Sequence, residues 1–103
     1  MTKNIAKNRP FLNLLLSTTK LQQEAIVLTL TNEQVNFLSE IVKNLINLET
    51  PSKTSKLLNK NLKLFQRFTI KKYSASQRKK VFQKHFNIFL SLFLSVKTQL
   101  LQL

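Results

Sequence analysis

The stretch from Lys53 to Lys71, KTSKLLNKNLKLFQRFTIK, decides the fold. Its basic residues, Lys53, Lys56, Lys60, Lys63, Arg67 and Lys71, recur at intervals of three, four, three, four and four. At about 100° per residue, this pattern places the six charges within an arc of about 80° on an α-helix. Leu57, Leu58, Leu62, Leu64, Phe65 and Phe68 fall outside that arc. The spacing therefore predicts one helix, from about Lys53 to Ile70, with a cationic ridge and an apolar keel. Like charges four residues apart on a helix repel by a few tenths of a kcal/mol per pair. Here they repeat with no acid between them, whereas a face that is merely solvated usually mixes signs. A polyanion partner relieves that repulsion.

Reading toward the N-terminus, Thr50-Pro51-Ser52 is a break. Before it, Val35, Leu38, Ile41, Val42, Leu45 and Ile46 recur at helical spacing and predict a helix from about Asn32 to Leu48. Thr31 and Gln34 form a capping box at its start, and Thr19 and Gln22 form another that opens a helix from about Lys20 to Leu30. The run Ile26-Val27-Leu28-Thr29-Leu30 has strand propensity, which competes with that helix. Pro10 suits a first helical turn, so a short helix is expected from Pro10 to about Leu16. Lys3, Lys7 and Arg9 precede the apolar run Phe11 to Leu16, but that run is short and no small-residue cleavage site follows. It is therefore expected to be structural and not a secretory leader.

Reading toward the C-terminus, Tyr73-Ser74-Ala75 is a short link. Ser74 and Gln77 form a third capping box, opening a helix expected to run to about Val96. The chain has no Gly and only two Pro, which favours helices joined by short polar links. The expected class is all-α, with about four to five short helices in 103 residues. Three regions follow: a helical front at 1–50, a basic region at 51–84 and an apolar C-terminal helix at 85–103.

Charge is segregated in the same way. Lys and Arg total 17 against 4 acidic residues, a net charge of +13. All four Glu (Glu24, Glu33, Glu40, Glu49) lie in the front region, while residues 51–84 hold eleven basic residues and no acid. A net charge this far from zero destabilises the compact state and points to DNA, RNA or an anionic membrane surface. Besides the ridge, Lys71-Lys72, Arg78-Lys79-Lys80 and Lys84 form a second cluster, suited to phosphates on both sides of a groove and readable also as a nuclear-import signal. With 14 Lys against 3 Arg, contacts should be to phosphates and not to base edges, since Arg is the usual fork for guanine. The eight Phe lie at core-like spacings, with stacking on single-stranded bases as the lesser use.

From Phe86 to Val96 the chain reads FNIFLSLFLSV, apolar on nearly every side. Eleven residues do not span a bilayer. Core burial is one expectation. The other is a membrane-active or partner-binding surface made by Phe86, Phe89, Leu90, Phe93 and Leu94, with self-association through apolar helices among its forms.

Catalysis is not indicated. There is one His, His85, and no Asp or Cys, and the Glu are spread at intervals of nine, seven and nine. No thiolate metal site exists, no phosphate-cradling Gly loop exists, and the Ser and Thr hydroxyls lack an evident base. No catalytic residue, metal or cofactor is expected.

The order of segments resembles a group of small basic proteins encoded by adintoviruses and Polinton/Maverick-type DNA elements, which are compared with the adenovirus core protein X. Glu33-Gln34, Leu38-Ser39-Glu40-Ile41 and Asn44-Leu45 match their central pattern. Pro51-Ser52, the Lys53–Lys71 helix and the run from Arg78-Lys79-Lys80 to Gln83-Lys84 occupy the later positions. Where those proteins carry a Gly pair, this chain has His85-Phe86-Asn87. The resemblance implies a virion-associated, DNA-binding accessory protein acting in the virion or the host nucleus, with DNA ahead of RNA as its partner. The alternatives are an RNA-binding subunit of a ribonucleoprotein and a membrane-active protein.

Overall fold

All three Ser/Thr-x-x-Gln boxes form as the sequence predicts. Thr19 Oγ1 accepts the Gln22 N–H at 3.3 Å while Gln22 Oε1 accepts the Thr19 N–H at 3.4 Å. The Thr31/Gln34 pair closes at 3.1 and 2.9 Å. The Ser74/Gln77 pair closes at 3.2 and 2.9 Å. Each box satisfies two backbone donors that the first turn of a helix leaves open.

The computed structural model describes residues 2–47, 50–70 and 72–97, with side chains from Asn8 onward. Among them are seven helices and no strand: α1 Thr2–Ser17, α2 Lys20–Leu28, α3 Asn32–Asn47, α4 Ser52–Lys60, α5 Leu62–Thr69, α6 Ala75–Lys84 and α7 Phe86–Ser95. The all-helical class agrees with the sequence, but the count exceeds the four to five expected. Two expected helices are each divided by one residue, Asn61 (φ −118°, ψ 25°) and His85 (φ −121°, ψ 26°).

Both divisions have local causes. The Asn61 N–H and its side-chain Nδ2 both donate to the Leu57 carbonyl at 3.2 Å, so the side chain competes with the main chain for one acceptor. At His85 the carbonyl accepts from Ile88 at 3.0 Å and Phe89 at 3.3 Å, a tightened turn. Neither site has the Pro or Gly that usually announces a bend.

The bends match each other. α4 packs on α7 and α5 packs on α6, so residues 52–69 and 75–95 form an antiparallel helical hairpin bent at the same level in both limbs. The register is pinned at one end by Thr54 Oγ1 and Ser95 Oγ, 2.8 Å apart. Toward the other end, Phe68 and Phe82 lie with centroids 5.5 Å apart. α3 crosses α5 and α6, with Ser39 Oγ donating to the Phe68 carbonyl at 2.9 Å. α1 lies against α2, α3 and α7, and α2 reaches α6, where Gln83 Nε2 donates to the Val27 carbonyl at 3.0 Å.

All seven helices feed one apolar core, so the three regions read from the sequence share it. At its centre, Phe65, Phe68, Phe82, Phe89 and Phe93 are fully buried. The Phe89 ring lies 5.3 Å from Phe65 and 4.8 Å from both Phe68 and Phe82, within the range of favourable aromatic pairs. The two buried hydroxyl residues, Ser39 and Thr54, both find partners, as most buried polar groups do.

α1 departs from expectation. It begins at Thr2, and Pro10 lies within it and not in its first turn. A Pro there withholds one helical N–H and crowds the preceding turn. The helix is anchored after that point, by Leu12, Leu15 and Leu16 in the core and by Phe11 edge-on to Phe37. The β-branched run after Ala25 stays helical to Leu28, because Val27 and Leu30 are buried in the core.

Candidate nucleic-acid interface

The hairpin positions the basic residues. Leu58, Phe65 and Phe68 turn into the core, with Leu57, Leu62 and Leu64 half-buried at its margin. That orientation leaves Lys53, Lys56, Lys60, Lys63 and Arg67 exposed in one row. At 1.5 Å per residue the row is about 21 Å long. The three-four spacing of exposed cations continues across the bend at Asn61. Lys71 lies outside the described residues, and Lys72 is exposed.

A second row lies beside the first. Exposed positions on the other limb recur as Ser76, Lys80, Lys84, Asn87, Ser91 and Leu94. Lys53, Lys56 and Lys60 share a groove with Ser91, Leu94 and Ser95, so the C-terminal part of this row flanks the ridge. Counting back along the antiparallel limb from the Thr54–Ser95 contact sets Lys84 level with Phe65, between Lys63 and Arg67, and Lys80 level with Thr69, just past Arg67. One face of the hairpin therefore carries seven cations in two rows. No acidic side chain belongs to it, because no Glu or Asp occurs after Glu49.

The remaining members of the second cluster are placed differently from the expectation. Arg78 is half-buried and its Nη2 donates to Asn36 Oδ1 at 2.6 Å, across a hollow of about 530 Å³ also lined by Glu40 and Lys43. It acts as a strut between α6 and α3. Lys79 is also half-buried. The Arg78-Lys79-Lys80 run is thus split by helical geometry, with Lys80 alone of the three exposed, since neighbouring residues point about 100° apart.

The apolar candidates of the C-terminal helix are corrected as well. Phe89, Leu90 and Phe93 are core residues and Phe86 is half-buried, which leaves Leu94 as the exposed member of the set. The hydrophobic effect drives them inward because α1, α4 and α6 supply apolar surface to receive them. No helix among the described residues is long and apolar enough to cross a membrane. The most exposed large apolar side chains are on α2, at Leu21 and Leu28. Their seven-residue spacing is present in the sequence but masked by the neighbouring apolar run.

Among the described residues no group of three or more His, Cys, Asp or Glu is placed to hold a metal ion. His85 sits at the bend between α6 and α7, with its backbone in the helical hydrogen-bond chain. Comparison of the chain with protein-family models, with curated proteins and with solved structures found no match.

Proposed function

We propose that this chain is a non-catalytic protein that binds nucleic acid through its phosphates without reading base sequence. DNA is the preferred partner, and the resemblance in segment order makes condensation of a viral or mobile-element genome, in the virion or the host nucleus, the setting. The observation that carries this reading is the acid-free hairpin face with Lys53, Lys56, Lys60, Lys63 and Arg67 in one row and Lys80 and Lys84 in the next.

The chemistry follows from residue type. Lysine ammoniums are mobile point charges that meet phosphates without a fixed hydrogen-bond fork, so they hold a backbone and ignore the bases. Each neutralised phosphate releases condensed counterions, and the free energy gained depends on bulk salt. Solvent exposure keeps the ammoniums accessible.

Binding to two unrelated duplexes and to an RNA hairpin across a salt series tests the reading. The two duplexes should bind equally. Affinity should fall on the order of 10³-fold between 50 and 200 mM salt when six or more phosphates are engaged. A salt-insensitive interaction contradicts phosphate binding. Selective retention on the RNA hairpin reassigns the chain to a ribonucleoprotein.

A further inference from the structure

Resting on the phosphate-binding reading, we propose that the groove between α4 and α7 takes up one unpaired nucleotide, so that single-stranded nucleic acid makes a contact that a duplex cannot. The groove holds about 550 Å³. Lys53, Lys56 and Lys60 rim it, and Leu57 from α4 and Leu94 from α7 supply apolar walls. Leu94 is 48% exposed although the rest of the α7 apolar set turns inward.

A cationic rim beside an apolar slot matches the chemistry of a nucleotide. Its phosphate is a dianion or a backbone monoanion, and its base is a flat ring with apolar faces. The groove's hydroxyls are already engaged. Ser91 Oγ donates to the Asn87 carbonyl at 2.9 Å, and Ser95 Oγ donates to the Leu92 carbonyl at 2.6 Å. Thr54 Oγ1 closes on Ser95 at 2.8 Å. The walls therefore offer apolar contact and shape, with no donor pattern aimed at base edges. Every base presents such a face, so uptake is tolerant of sequence.

A duplex cannot fill the slot, because its bases are paired and stacked. Its phosphates still reach the lysines. Electrostatics alone favours the duplex, whose counterion release per phosphate exceeds that of a single strand. A strand-to-duplex ratio that falls when the groove's apolar wall is made polar is therefore diagnostic of the groove.

The test measures binding of the full chain to a mixed-sequence 20-nucleotide strand and to its duplex at one salt concentration. The groove's apolar contact is expected to raise the strand-to-duplex affinity ratio about fivefold over that of a chain without it. Leu94→Gln, at an exposed position, should lower the strand-to-duplex ratio about fivefold while leaving the duplex salt slope unchanged. Leu94→Phe should keep or raise the ratio. An unchanged ratio in Leu94→Gln overturns the groove and leaves phosphate binding intact. Absence of binding to both strand and duplex overturns both. Displacement of the strand by dodecyl phosphate at concentrations where inorganic phosphate has no effect overturns the nucleotide assignment in favour of an anionic amphiphile.

Discussion

Replacing Phe89 with Ala costs about 4 kcal/mol of stability, because a buried Phe→Ala change typically removes 3–5 kcal/mol. Phe89 is fully buried and its ring meets Phe65, Phe68 and Phe82, which come from both limbs of the hairpin. A chain of this size holds only about 5–15 kcal/mol in total. Self-repulsion of the +13 charge reduces that further at low ionic strength. The variant should therefore melt roughly 15–30 °C lower, given about 4–8 °C per kcal/mol for a domain of this length. Urea unfolding with an unchanged slope checks it. A loss under about 1 kcal/mol means that the rings do not hold the two limbs together, and it returns Phe89 to a surface role on the C-terminal helix.

The variant Lys56→Gln, Lys60→Gln, Lys63→Gln, Arg67→Gln has the opposite profile. All four side chains are exposed, so the fold and melting temperature should be kept or improved as repulsion falls. Binding should suffer strongly. Every phosphate that is no longer neutralised takes about 0.9 off the slope of log K against log salt, which at 0.1 M is a factor of about 8 in affinity. Giving up four such phosphates lowers duplex affinity on the order of 10³-fold and flattens the slope by about 3 to 4. Anisotropy titrations at three salt concentrations measure both quantities. A variant that binds like the unaltered chain places the phosphates somewhere other than the ridge.

The two predictions separate the keel of the basic helix from its ridge, and that distinction was legible in the sequence. The three-four spacing from Lys53 to Arg67 sorted exposed cations from buried Leu58, Phe65 and Phe68 correctly. The Ser/Thr-x-x-Gln boxes marked three helix starts, because a cap is a local exchange between two side chains and two N–H groups. The bends at Asn61 and His85 were not legible. They depend on one side chain's competition for a carbonyl and on two limbs packing against each other over distances a periodicity cannot see. Arg78 shows the same limit. Its sequence neighbours are lysines, and only the packing of α3 on α6 brings Asn36 within 2.6 Å of its guanidinium. The placing of Lys84 and Lys80 on either side of the level of Arg67 likewise follows from the antiparallel register. The apolar tail was ambiguous for a related reason. A helix that is apolar all round needs neighbours on every side, and which helices supply them is a tertiary matter.

Lysine-reactive footprinting, with and without duplex DNA at low salt, locates the interface directly. Lys53, Lys56, Lys60, Lys63, Lys80 and Lys84 should lose reactivity on binding, while Lys20 and Lys43, exposed on the front helices, should keep theirs. Equal protection of Lys20 and Lys43, or unchanged reactivity along the hairpin face, contradicts a phosphate-binding role for that face.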